Sequence, residues 1–413
     1  MIAAGRAVLA LLLLLGGGKV FHQLVGLEIA RMNPGPAGLE EAIRWDPERP
    51  DSHYTLGLFY RDSPEHFDPE ASRGHLEEAA RLNPYQWRYR LELGKTYELA
   101  SMTGPAGEAY RKAVEINPKA AGYRWRLANF ALRSGAPEEA LEQFGRAVQL
   151  EPSGYLQPTL GLLWKAGFDS EDIQRIWPED KPARLLLARF WTGQGEAGAE
   201  PAGLEWEKLV GGDSEIPTVV EGEFFIRYLM ERRDYEQARE EWIRLTEANG
   251  LSDPLFSTKE NWVWNGDFAI TETLGRALDW NLRESDAYDV VVGGSENQEG
   301  LRIDFAGVEN LNLSGLEQRA VVEPGSYEFS FRARAQGIGT EQGPYFELSA
   351  GRTVVRTLQL LGDSPWQEYP ALIDVAPEDR IMRIRLRREP SRRIDNKLRG
   401  TLWLSGVRLR KIQ

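Results

Sequence analysis

Three arginines alternate with three apolar residues in the run IMRIRLRR, where Arg383, Arg385 and Arg387 oppose Met382, Ile384 and Leu386. On an extended strand the outer two lie about 13 Å apart, at roughly 3.3 Å per residue. Planar, permanently charged guanidinium groups in a row suit the carboxylates or phosphates of a polymer. The run SYEFSFRARA repeats the alternation: Arg332 and Arg334 stand opposite Tyr327, Phe329, Phe331 and Ala333. These five arginines are the candidate glycan- or anion-binding residues. The competing reading pairs them with acidic neighbours on a solvated sheet face, where each exposed pair contributes only about 0–1 kcal/mol.

Other chemistry is excluded by residue type. The 413 residues contain no cysteine, so disulfides, thiolate nucleophiles and Cys-ligated metals are absent. The four histidines are His22, His53, His66 and His75, so no imidazole base follows residue 75. The spacings of 13 and 9 among His53, His66 and His75 match no helical metal pair. The net charge of -13 disfavours general nucleic-acid binding. Its distribution is uneven. Residues 1–252 carry -10, residues 253–379 carry -13, and residues 380–413 carry +10. With 42% hydrophobic residues the chain can build cores, and its length implies two or three domains.

Prolines punctuate the first half at a fixed phase. Pro84, Pro118 and Pro152 are 34 residues apart, and Pro47 precedes Pro84 by 37. Each closes a similar phrase: AIRWDP, AARLNP, AVEINP, AVQLEP. Leu93, Gly94, Tyr97, Ala106, Tyr110 and Ala113 recur at matching phase as Leu127, Ala128, Ala131, Ala140, Phe144 and Ala147. Small residues let paired helices approach closely and large ones fill the gap to the next pair. An earlier repeat carries Leu56, Gly57, Tyr60, Leu76 and Ala79, with a three-residue insertion near SPEHFD. Beyond Pro152 the pattern decays through Ile173 and Trp177, then returns with Phe225, Leu229, Ala238, Trp242 and Leu245. This 34-residue period resembles the tetratricopeptide (TPR) family, with about six repeats over residues 19–250, degenerate after 153.

The resemblance implies an α-solenoid whose first helices form a concave, peptide-binding face. Residues at the family's groove positions include Arg88, Leu91, Lys95, Glu98, Trp125, Asn129, Tyr155 and Lys165. Lys95 and Asn129 are the expected contacts to a partner's carboxylates or backbone. The alternative is a solvated groove whose charges pair among themselves.

After a linker at residues 251–257, period-2 alternation with regular turns indicates an all-β sandwich over 258–413. The ordered phrases NWVWNGDFAI, LDWNL, VEPGSYEFSFRARA, SPWQEYPALIDVAPED and GTLWLSGVRL resemble jelly-roll carbohydrate-binding modules, which are galactose-binding-like. That resemblance implies glycan binding, with Trp280, Trp366 and Trp403 packing the sandwich. Trp262, Trp264 and Tyr345 are candidate stacking platforms. It also implies a structural calcium near Asp267, although Ser405 replaces the usual acidic ligand. No other cofactor is expected.

Residues 1–18 read MIAAGRAVLALLLLLGGG, one arginine before an apolar run, as in a secretory signal or a short N-terminal membrane anchor. The combined expectation is an exported, non-enzymatic adaptor, periplasmic or anchored facing the periplasm. Its array would hold an envelope protein or peptide, and its sandwich would bind glycan, in its sharper form acidic polysaccharide, during envelope or exopolysaccharide assembly. The alternatives are a carboxylate-dependent glycan-processing enzyme and a protein scaffold with a purely structural β cap.

Overall fold

Four helices end in the same way. Asp46, Asn83, Asn117 and Glu151 each precede a proline, whose ring crowds the preceding residue out of helical backbone. Each donates its backbone N–H to the carbonyl of an alanine four residues earlier: Ala42, Ala79, Ala113 and Ala147. All four alanines are fully buried. The phased prolines are therefore stop signals set one turn beyond a point of close helix contact.

The computed structural model describes residues 2–211, 216–283, 285–293, 300–394 and 396–412, with side chains from residue 17 onward. The helices closed by these caps are the second members of hairpins. They pair α1 (Ile2–Met32) with α2 (Pro36–Trp45), and α3 (Pro50–Asp62) with α4 (Pro69–Leu82). They also pair α5 (Trp87–Leu99) with α6 (Thr103–Ile116), and α7 (Ala121–Arg133) with α8 (Pro137–Leu150). The insertion near SPEHFD forms a 3₁₀ turn at Pro64–His66. Small residues sit where the helices touch. A Cβ on Gly57 would lie 2.7 Å from the Leu76 side chain, and one on Gly94 would lie 2.9 Å from the Tyr110 ring. Next come α9 (Pro152–Lys165) and the seven-residue α10 (Ser170–Ile176), which packs on α8 at Gly145 and Ile176.

The chain divides into two compact units, Met1–Glu179 and Asp180–Gln413. The second begins with two more hairpins, α11 (Lys181–Thr192) with α12 (Ala199–Gly211) and α13 (Val219–Arg232) with α14 (Tyr235–Ala248). The array is thus TPR-like in its helical hairpins and its period. Among the described residues six helix pairs pack as hairpins, while α9 and α10 each pack on α8.

Two antiparallel sheets follow. One has the order β1 (Asn281–Leu282), β4 (Leu313–Val321), β9 (Ile381–Arg388), β6 (Tyr345–Ala350), β7 (Thr353–Arg356). The other has the order β2 (Tyr288–Val292), β3 (Leu301–Ala306), β10 (Arg399–Lys411), β5 (Gly325–Ile338), β8 (Gly362–Val375). From β3 onward this is jelly-roll order, with successive strands crossing between sheets except at the β6–β7 hairpin. Phe329, Phe331, Phe346, Ile384, Leu386, Leu402 and Leu404 fill one core from both inner faces.

Residues 251–257, expected as a linker, form a packed clasp instead. Asp253 caps the short α15 (Pro254–Ser257), accepting from the Phe256 N–H at 3.1 Å. Its other oxygen accepts from the Asn265 N–H at 2.9 Å. Phe256 is buried, and Arg239 of α14 donates to its carbonyl. The Arg239 guanidinium stacks over the Phe256 and Trp262 rings at 4.5 and 5.5 Å. The last hairpin therefore belongs to the same compact unit as the sandwich, because buried aromatic side chains rather than free backbone join them.

The side chains of residues 1–16 lie outside the described residues, and with them most of the segment read as signal or anchor. No helix is long and apolar enough to cross a membrane among the described residues.

Candidate functional site

The first helices of the second to fourth hairpins, with α9, carry a groove of about 970 Å³. Two aromatic pairs line it. Trp87 meets Tyr123 with ring centroids 4.4 Å apart, and Trp125 meets Tyr155 at 5.2 Å. Gly122 keeps the second pair accessible, since a Cβ there would lie 3.2 Å from the Tyr155 hydroxyl.

Charges form the rest of the lining. Glu92 is held between Lys95 at 2.5 Å and Arg61 at 2.9 Å. Glu98 accepts from Arg133 at 2.6 Å and from the Tyr110 hydroxyl at 3.0 Å. Burial and the neighbouring Glu98 charge push the Tyr110 phenol well above its ordinary range, so it stays a donor. Arg126 also lines the groove and makes no side-chain ion pair among the described residues. Within a first half of strongly negative charge, the groove is locally cationic.

Six of the groove residues expected from the repeat phase come together here: Leu91, Lys95, Glu98, Trp125, Asn129 and Tyr155. Lys95 is tied to Glu92, and Asn129 donates back to the Trp125 carbonyl at 2.8 Å, so neither projects freely as expected. Arg88 stands beside the lining with its guanidinium 4.9 Å over Trp87. Lys165 is exposed at the end of α9 and does not line the groove. Repeat phase missed Trp87, Tyr123 and Arg126. Their signal lies in the local phrases YQWRY and GYRWR, aromatic and arginine together at the start of two successive first helices.

The five arginines of the sandwich separate into two groups. Arg383, Arg385 and Arg387 lie on β9 and face outward from the first sheet. Arg332 and Arg334 lie on β5 in the second sheet, over the Trp366 and Trp403 rings at 5.7 and 4.7 Å. Strand alternation fixes which side of its own sheet a residue takes, and the two sheets turn opposite sides outward. The β9 arginines are partly neutralised. The buried Glu347 carboxylate receives Arg385 at 2.7 Å, Arg356 at 3.1 Å and Arg387 at 3.2 Å, while Arg383 pairs with Glu317 at 3.1 Å.

The aromatic expectations are corrected in two ways. Trp262, Trp264 and Tyr345 are no more than 3% exposed, so none offers a ring face to a sugar. Trp280 is buried as expected, but Trp366 and Trp403 sit half-buried on the outer face of the second sheet.

Asp267 accepts from the Gly406 N–H at 2.9 Å and the Ser405 hydroxyl at 3.3 Å. Among the described residues no cluster of three or more His, Asp or Glu could hold a metal. The opening motif around Asp267 is a knot of hydrogen bonds. Asn265, in left-handed backbone at φ 54°, donates to the Ile270 carbonyl at 2.8 Å. Asp279 accepts from Thr273 at 2.6 Å, the Trp280 N–H at 2.7 Å and Asn265 at 3.2 Å. Burial pushes the Asp279 carboxyl up to about 7 despite these donors.

Two of the histidines meet although their spacing matches no helical pair. The α3–α4 hairpin sets His53 Nδ1 3.1 Å from His75 Nδ1, so one ring donates and the other accepts. His75 also stacks on Tyr60, at 5.9 Å between centroids. Burial, then the nearby His53, holds the His75 imidazole below its ordinary range.

No protein-family model and no curated protein matches the chain. Similar solved structures include a crystal structure of MamA, 17% identical, spanning 38% of this chain and 88% of that chain with a TM-score of 0.32. Another is the crystal structure of a thermophilic TPR protein from Thermus thermophilus. It is 22% identical and spans 31% of this chain and 69% of that chain, with a TM-score of 0.26.

Proposed function

We propose that the protein is a non-enzymatic adaptor whose helical groove holds an extended, acidic segment of a partner protein. The observation that carries this reading is the groove itself: two aromatic pairs, a lining of interlocked ion pairs, and Arg126 left outside them. Aromatic anchors in such a groove supply contact area at low entropic cost. Arg126, with Arg88 beside it, supplies the charge preference. Capture from envelope extracts with the full chain tests the reading. The Trp125→Ala and Arg126→Glu double variant should lose a partner that the parent chain recovers, at unchanged thermal stability. Equal recovery by both chains would overturn it.

For the sandwich, the reading is an acidic glycan laid along the outer face of the first sheet. Arg356, Arg385 and Arg387 there outnumber Glu347 and Glu389. Titrating the full chain with polygalacturonate and with neutral dextran should show binding of the first alone. Arg385→Gln with Arg387→Gln should weaken it, and retention of binding would sink it. The clasp favours a second reading, in which the sandwich is a structural end to the last hairpin. Partner capture that survives while no glycan binds would select that alternative.

The residue 1–18 segment fits an exported body, and on that basis the reading is of a periplasmic adaptor. Fractionation of cells expressing the chain, with and without residues 1–18, checks this. Cytoplasmic recovery of the full chain would refute it.

A further inference from the structure

A second recess, of about 540 Å³, opens inside the second compact unit where the α13–α14 hairpin faces the first sheet. Four guanidinium groups from four separate segments line it. Arg227 comes from α13, Arg276 from the loop before β1, Arg319 from β4 and Arg383 from β9. Tyr235 and Asn281 line it as well, as do the carboxylates of Glu231, Asp279 and Glu317.

Two carboxylates hold these four cations in place, each shared by two of them. Glu223 receives Arg276 at 3.3 Å and Arg227 at 3.4 Å. Glu317 receives Arg383 at 3.1 Å and Arg319 at 3.8 Å, in both cases through Nε. Neither Arg319 nor Arg383 makes a side-chain hydrogen bond among the described residues. Guanidinium groups offer five N–H donors in a planar fork, so much of the donor capacity is unspent.

The strand register adds an electrostatic argument. Arg319 sits directly opposite Arg383 across β4 and β9. Like charges at directly opposed positions destabilise a sheet. Exposed ion pairs such as these return little stability. Glu223 and Glu317 offset only part of the repulsion among these four cations, and an anion placed between them would relieve more of it. Their approach from separate segments suits an oxyanion with oxygens pointing in several directions, rather than one flat carboxylate. The recess also has room for more than a single phosphate.

We infer that this recess binds a compact phosphoryl anion, of the diphosphate or sugar-phosphate class, gripped by Arg276 and Arg227 on one side and Arg319 and Arg383 on the other. The site shares Arg383 with the stripe read as glycan-binding but rests on different residues and a different ligand.

The test is isothermal titration of the full chain with inorganic pyrophosphate and, separately, with glucose 1-phosphate. Saturable one-site binding of either is expected, the two arms distinguishing a diphosphate from a sugar monophosphate. Arg276→Ala and Arg319→Ala should each weaken it at least tenfold. Arg276→Lys should recover only part, because it restores charge without the fork. Arg408→Gln, on the second sheet and outside the recess, should leave it unchanged. Each variant is checked by its thermal midpoint, and the two alanine variants provide independent readings should one unfold. No saturation by either probe at millimolar concentration overturns the inference, even if polygalacturonate binds. So does equal weakening by Arg408→Gln and Arg276→Ala, which would mark diffuse attraction.

Discussion

Trp242 of α14 and Trp264 of the sandwich's opening loop meet edge to face, with ring centroids 5.6 Å apart and both rings fully buried. Edge-to-face contact aligns the positive rim of one ring with the negative face of the other. The contact joins a helical hairpin to a β domain across the segment that reads as a linker. Trp242→Ala should cost about 3–5 kcal/mol, as large aromatic truncations in cores do. Circular dichroism and near-ultraviolet signals should shift together in denaturant. Trp242→Phe should cost far less, because it keeps a ring and removes an indole N–H that has no partner among the described residues. Loss of the β signal at unchanged midpoint in Trp242→Ala would show that the hairpin and sandwich unfold separately.

The His53–His75 contact makes the first unit acid-sensitive. His75 binds its proton less readily in the folded chain than its ordinary value of 6.5. Below about pH 6.5 the unfolded chain therefore takes up more protons than the folded one, and stability falls as pH drops. It is fully present above that value. The groups facing His75 are His53, Tyr60 and, more distantly, Glu40, whose charge works the other way. Unfolding measured from pH 7.5 to 5 should show this decline, and His75→Phe should flatten it. An equally steep profile in the variant would place the effect elsewhere.

Asp279 works with the opposite sign. Its folded-state value of about 7 lies above the ordinary 3.8, so its contribution is complete below about pH 4 and is lost as pH rises through 7. The neighbouring Asp253 carboxylate adds to the rise. Asp279→Asn should raise the thermal midpoint at pH 8.5 relative to pH 6, with Thr273 turning its hydroxyl to accept. A parent chain whose midpoint is flat between pH 6 and 8.5 would contradict this.

Gly266 cannot be replaced cheaply. A Cβ at this position would collide with the Val407 carbonyl oxygen, while Val407 donates to the Gly266 carbonyl at 2.9 Å. Gly266→Ala should destabilise the second unit by about 2 kcal/mol or more, through backbone strain and a broken clip to β10. Gly203→Ala, where a Cβ meets open space, is the matched control. Equal midpoints for the two variants would refute the argument.

Much of the array was legible because its signals are local. At Asp46, Asn83, Asn117 and Glu151 the residue before proline leaves the helix, although Gln157 before Pro158 stays inside α9, and Ala113 or Ala147 one turn earlier marks where two helices touch. The alternation of Arg383, Arg385 and Arg387 was equally local. Which sheet faced them was not, because β5 and β9 show the same pattern and lie on different sheets. Nor could phase reveal that Lys95 bends to Glu92 or that Asn129 bonds back to Trp125, since those choices depend on rotamers. The recess around Arg276 was invisible for a further reason. Its four arginines are spread over more than 150 residues, and the clasp at Phe256 together with the Trp242–Trp264 contact brings the helix-borne one to the sheet.

That clasp has a mechanical consequence. A tether of seven free residues would let a load on the sandwich be absorbed by slack chain. Here the backbone between α14 and Trp262 is pinned at Asp253, Phe256 and Arg239. A pull on the sandwich is therefore transmitted to α14 with no play, and the β domain acts on the last hairpin as a lever arm.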